Sequence, residues 1–205
     1  MGKAKINIRG LKKEIAQKGF PIFKREAIPR IEKKLQQETL RMLEAFADHE
    51  VTREIEAGPG ARNSSGTLGG YGNLFTFIGF GRDQDPISPI RSLLAKSIKV
   101  TNVRKQRNKL GLTLKFTVPT EEEIAAVAPI PWASGSWVDA VERGMSGVGR
   151  YLYSTDKGKF TTSRSGQAIE ATVEVRGSGS SAPIEYISKI LADMLKNIEK
   201  SLRKL

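Results

Sequence analysis

Apolar residues recur at helical spacing over residues 21 to 48. Ile28, Ile31, Leu35, Met42 and Phe46, with Leu43 beside them, form one stripe, and Pro21 suits the first turn of a long helix. Pro29 complicates the pattern. It removes a backbone donor and its ring crowds the carbonyl one turn back, so the regular helix is expected to begin there after a kinked or separate turn. A helical turn over Val51 to Glu56 should end at Gly58-Pro59. The Gly- and Ser-dense stretch 58–72 predicts an extended loop or arm. After it, the aromatic and β-branched run from Asn73 to Phe80 predicts a buried strand.

Beyond the turn Asp83 to Pro86, Ile87 to Ala95 predicts a short helix with Pro89 near its start. A strand pair comes next. Ile98 and Val100 alternate with polar residues, Arg104 to Lys109 makes a basic turn, and Leu110, Leu112, Leu114, Phe116 and Val118 share one face of the returning strand. Gly111, Thr113, Lys115 and Thr117 make its other face polar, so the chain itself should cover one side of the sheet only. Thr120-Glu-Glu-Glu123 is a capping-box sequence opening a helix through Val127, and Pro129 and Pro131 then impose an extended connection. Residues 145–167 suggest a second long loop or arm, around Tyr151 and Tyr153. Ile169, Ala171, Val173 and Val175 alternate as a last strand, with a hinge-like turn at Gly177 to Ser181. From Pro183 onward, Ile184, Ile187, Leu191, Met194, Ile198, Leu202 and Leu205 mark an amphipathic helix that either lies on the sheet or pairs with the N-terminal helix. The pattern as a whole predicts an α+β fold in one domain, 1–205. An antiparallel sheet is flanked by long N-terminal and C-terminal amphipathic helices, with Gly/Ser-rich extended loops and a basic N-terminal segment over 1–20.

Composition narrows the function. At 205 residues the chain can build one proper core, and its mean hydropathy of -0.34 is that of a water-soluble chain. No apolar run approaches the roughly 20 residues of a membrane span, and the basic N-terminus lacks the apolar region of a secretory signal, so cytosolic synthesis without membrane association is expected. There is no cysteine and only one histidine, His49, which excludes disulfides, thiol chemistry and multi-histidine metal sites. The net charge of +12 is concentrated in the N-terminal stretch and in Lys96 to Lys115, which favours contact with a polyanion over either run, although solvated faces account equally for such charge.

Catalytic patterns are weak. Gly69-Gly70-Tyr71-Gly72 lacks the spacing and the lysine of a phosphate loop. His49 stands between Asp48 and Glu50 at a helix end, where capping is the ordinary role. Asp83 with Asp85 and Asp139 with Glu142 are the acid pairs a hydrolase would use, but the first sits in a turn and the second on an element of structural pattern. Glu121, Glu122 and Glu123 fit as partners of a helix dipole rather than as metal ligands. The expectation is a protein without catalytic, cofactor-binding or metal-binding residues, and not an enzyme.

Three segments carry a family resemblance. Gly66-Thr67-Leu68 steps into the strand expected at Leu74 to Ile78; Trp137-Val138-Asp139-Ala140-Val141-Glu142-Arg143-Gly144 pairs an aromatic with a Val-Glu-x-Gly ending; and Pro183-Ile184-Glu185-Tyr186-Ile187 opens the last helix. In this order, between two long amphipathic helices, they resemble the phage tail-completion or head–tail joining (neck) family that includes the lambdoid minor tail protein Z. The chain departs from that pattern in carrying extra material near 58–72 and 145–167. The resemblance implies a virion protein that forms an oligomeric ring, a hexamer, between the portal or connector and the tail tube and sheath, in transient contact with genomic DNA. On this expectation Arg104, Lys105, Arg107 and Lys109 face DNA in the lumen. Tyr71, Phe75, Trp137, Glu142, Tyr151 and Tyr153 would meet neighbouring subunits or partners. The alternative from a different class is a stand-alone basic protein that binds nucleic acid without regard to sequence.

Overall fold

In the structure, a computed structural model that describes residues 2–9, 19–68, 73–105, 111–131, 134–144, 152–154, 168–170 and 183–202, the N-terminal pattern folds as one helix. Helix α1 (Phe20–Asp48) is continuous through Pro29. Pro29 lies on an exposed face in the third turn, and the helix is not confined to the residues after it. Strand β1 (Gly2–Arg9) precedes it. Helix α2 (Glu50–Glu56) and a 3-10 turn (Gly58–Gly60) follow.

Helix α3 (Leu74–Ile78) overturns the strand expected over Asn73 to Phe80. Asn73 decides it at one end: its side-chain oxygen accepts from the Thr76 amide at 2.9 Å, an N-cap. Gly79 decides it at the other, because its φ of 86° is the left-handed conformation that closes a helix and that a side chain disfavours. The apolar residues between the caps, Leu74, Phe75, Phe77 and Ile78, are all buried, so no polar face was left to reveal the helical period.

Next come α4 (Ser88–Ser97), β2 (Lys99–Lys105), β3 (Gly111–Val118) and α5 (Glu121–Val127). The capping box forms as its sequence requires. Glu123 N donates to Thr120 Oγ1 at 3.2 Å while Thr120 N donates to Glu123 Oε2 at 3.0 Å. Helix α6 (Trp137–Arg143), strands β4 (Leu152–Ser154) and β5 (Ala168–Glu170), and α7 (Ile187–Leu202) complete the described chain. Helix α7 starts four residues later than its proline suggested, since Pro183 to Tyr186 run without helical structure. The basic turn 106–110, most of 145–167, residues 171–181 and Leu205 lie outside the described residues.

The fold is α+β. Strands β1, β3 and β2 form an antiparallel sheet in that order, and β4 pairs with β5 in a second, two-stranded sheet. In the larger sheet Ala4, Ile6 and Ile8 stand opposite Phe116, Leu114 and Leu112, and Val100 and Val103 stand opposite Phe116 and Leu114 from the other side. These positions share the apolar face. A bulge between Val100 and Asn102 shifts the register of β2 by one residue and keeps its valines on that face.

The chain divides into two compact, interleaved units. Unit 1 comprises residues 1–45, 92–123 and 189–205, with the three-stranded sheet and most of α1 and α7. Ile31, Leu35 and Met42 from α1, Leu114 and Phe116 from β3, and Ile190, Met194 and Ile198 from α7 are its main buried side chains. Helix α7 pairs with α1, where Ser201 Oγ donates to Glu38 Oε1 at 2.9 Å. Unit 2 comprises residues 46–91 and 124–188 and buries Phe46, Ile55, Leu74, Ile87, Trp137 and Tyr186.

Candidate functional site

The three family-like segments all lie in unit 2, and two of them meet directly. Ser136 caps α6, its hydroxyl accepting from the Val138 amide at 3.2 Å, and this orients Trp137, Val138 and Val141 inward. Gly144 ends the helix at φ 85°, the sharp exit that its place in the motif suggested. Ile184 N donates to Val141 O at 3.4 Å, and Ser188 N donates to Glu142 Oε1 at 2.8 Å, so Glu142 caps the first turn of α7. The Trp137 ring lies 6.2 Å from Tyr186 and meets Phe80 edge-on at 6.0 Å.

Tyr186 is buried and shares a 2.7 Å hydrogen bond with Thr52 Oγ1. Burial pushes its phenol far above the ordinary tyrosine value, and the bond to Thr52 opposes this only in part, so it stays protonated. His49 sits against the same ring at 4.6 Å. Its Nδ1 accepts from the Val51 amide at 3.3 Å, which caps α2, and its Nε2–H donates to Glu185 O at 3.3 Å. That pair of bonds needs the neutral ring. Burial lowers the His49 pKa, against the opposing pull of the Glu185 carbonyl and of Glu50 and Glu142.

The third segment is held by Glu54. Its two carboxylate oxygens accept from Ser65 N at 2.8 Å and from Leu74 N at 2.6 Å. Asn73 adds donors to Pro59 O and Ala61 O at 2.9 and 3.0 Å. Residues 61–68 are thereby strapped to α2 and α3, and Thr67 and Leu68 are buried. Sequence reasoning missed Glu54, although it falls beside Val51 and Ile55 on the side of α2 where helical spacing calls for an apolar residue.

One acid of each pair goes to backbone amides, Glu142 in the second. Asp85 Oδ1 accepts from Ile87 N and Ser88 N at the start of α4, at 3.1 and 3.0 Å. Asp83 is exposed. Among the described residues no group of three or more acids and histidines is placed to hold a metal ion, and no helix is long and apolar enough to cross a membrane.

Two of the expected interface residues are core residues instead. Phe75 is 3% and Trp137 1% exposed, so their large apolar surfaces are spent inside unit 2 and are not presented to a partner. Glu142 is half-buried and engaged with Ser188. Arg104 is exposed on β2, its Nε donating to Asn102 Oδ1 at 3.2 Å; Lys105 is the last residue of β2, and Tyr153 lies in β4. Tyr71, Tyr151, Arg107 and Lys109 lie outside the described residues.

Unit 1 carries a different kind of feature. An open groove of about 570 Å³ runs between α1 and the junction of α4 with β2, lined by Leu35, Thr39, Leu40, Leu43, Ile98 and Val100 among others. Leu40 stands 55% exposed at its rim.

Comparison of the chain with protein-family models, with curated proteins and with solved structures finds no match.

Proposed function

We propose that the chain is a structural subunit of a tailed-phage virion, a tail-completion or head–tail joining protein that assembles into a ring at the neck and catalyses no reaction. The observation that carries this proposal is the use made of two of the family-like segments. Trp137 to Gly144 and Pro183 to Ile187 supply packing and caps of unit 2, with Glu142 bound to the Ser188 amide and Trp137 against Tyr186. The segment Gly66-Thr67-Leu68 leads to a helix where the resemblance implies a strand, so it lends no support. The groove beside Leu40, part apolar and part polar, offers surface for a neighbouring copy, and a head-to-tail contact that closes on itself gives a ring. A hexamer set between portal and tail tube, with DNA passing through, is the assembly the resemblance implies.

The test is the mass of the purified protein in solution by light scattering, alone and with isolated tail tubes or portal rings, followed by electron microscopy. A ring, or a monomer that adds to one end of a tube, is expected. A monomer that ignores both components overturns the proposal and leaves the stand-alone nucleic-acid reading.

A further inference from the structure

We propose that the polar face of the three-stranded sheet is a binding surface for the phosphate backbone of duplex nucleic acid. The two basic runs of the sequence are about ninety residues apart, yet the strand register puts them on one face. Lys3, Lys5 and Arg9 of β1 stand opposite Thr117, Lys115 and Gly111 of β3, while Lys99 and Arg104 of β2 stand opposite Thr117 and Thr113. Alternation along a strand then gives this face six cations, Lys3, Lys5, Arg9, Lys99, Arg104 and Lys115. Its remaining positions are Asn7, Asn102, Thr113, Thr117 and Gly111, so it carries no acid.

One feature separates this face from an ordinary solvated one. Lys99 and Arg104 are exposed, and among the described residues no carboxylate pairs with them or with Lys115. The choice of duplex over single strand follows from side-chain type. No aromatic residue occupies the face, so it offers no platform on which an unpaired base stacks, while its cations suit phosphate oxygens. This deepens the neck reading by naming the surface that meets the genome, but its test needs no ring.

The experiment is fluorescence anisotropy of the full-length protein with a 30-base-pair duplex of about two unrelated sequences over a series of salt concentrations. The variants are the triple Lys99→Gln, Arg104→Gln, Lys115→Gln, and a control triple of equal charge on exposed helix positions, Lys24→Gln, Arg30→Gln, Lys196→Gln. Wild-type binding is expected to be equal for both sequences, with the face triple lowering the slope of log affinity against log salt by roughly 3 and the control leaving it unchanged. Equal losses in both triples overturn the proposal, as does tighter binding to a single strand of the same length, to polyglutamate or to phosphatidylserine vesicles. Failure to form rings or to bind tails leaves these results standing, and failure here leaves the ring standing.

Discussion

Glu54 and Glu38 are both buried glutamates on helices, one in each unit, and the molecule treats them in opposite ways. Glu54, 1% exposed, gives each oxygen to a backbone amide of the segment it straps down. Glu38, 3% exposed, accepts from Arg41 and Ser201 on one oxygen, and its other oxygen is buried without a hydrogen-bond partner. The partners differ as well. Arg41 is largely exposed and Ser201 partly so, and both can turn to water, whereas the Leu74 amide has no such recourse at its buried position. A buried polar group is worth what its removal would orphan, so unit 2 depends on its acid and unit 1 does not.

The same substitution at both sites gives the largest and clearest test. Glu54→Met is expected to cost about 3–5 kcal/mol, the loss of two hydrogen bonds to a charged acceptor with amides left unpaired. Chemical denaturation reads this directly. A cost under about 1 kcal/mol would mean that the loop 61–68 finds other partners and that the strap is not structural.

Asn73→Ala is next in size. It removes the cap of α3 and the donors to Pro59 and Ala61, for an expected loss of about 2 kcal/mol. Restoring the cap with Asn73→Asp should recover the cap alone, not the two donors, and so separate the contributions.

Glu38→Met is expected to change stability by less than about 1 kcal/mol, because a half-satisfied carboxylate is exchanged for packing of similar volume. A loss as large as that at Glu54 would erase the contrast between the two units.

The smallest effect is a dependence on pH at His49. Its folded-state pKa is lowered, chiefly by burial, so between that value and its ordinary 6.5 the unfolded chain binds the extra proton. Stability contributed by neutral His49 is therefore complete above 6.5 and falls as the pH drops toward the lowered value. Thermal melts from pH 8 to pH 5 should show this decline, and His49→Asn, which keeps a capping side chain without titrating, should flatten that part of the profile. An unchanged decline would assign it to other groups.

Elements that the sequence announced were those with a contrast between two faces. Helix α1, the β2–β3 pair and the stripe of α7 each alternate apolar and polar positions with a period set by backbone geometry alone, and the capping box of Thr120 and Glu123 was legible from its own local spacing. Helix α3 had too little contrast, being apolar but for Thr76, and its end groups settled what its interior left ambiguous. Strand β1 has the alternation, Ala4, Ile6 and Ile8 against Lys3, Lys5 and Asn7, but its charge drew it into a general basic segment.

The roles of individual residues were less legible. Trp137 and Phe75 stood out as aromatics, and burial placed them in the core; Glu54 passed unnoticed and Tyr186 was read only as part of the entry to the last helix, because their partners lie 11 to 134 residues away. By itself the sequence determined the helical stripes, the hairpin, the caps and the excess of positive charge, since all of these depend on neighbours within a turn or two of chain. Only the tertiary structure decided which acids hold backbone, which aromatics fill the core, and that two distant basic runs share one face of one sheet. Strand pairing joins residues more than a hundred positions apart, and no local period records which strand will lie beside which.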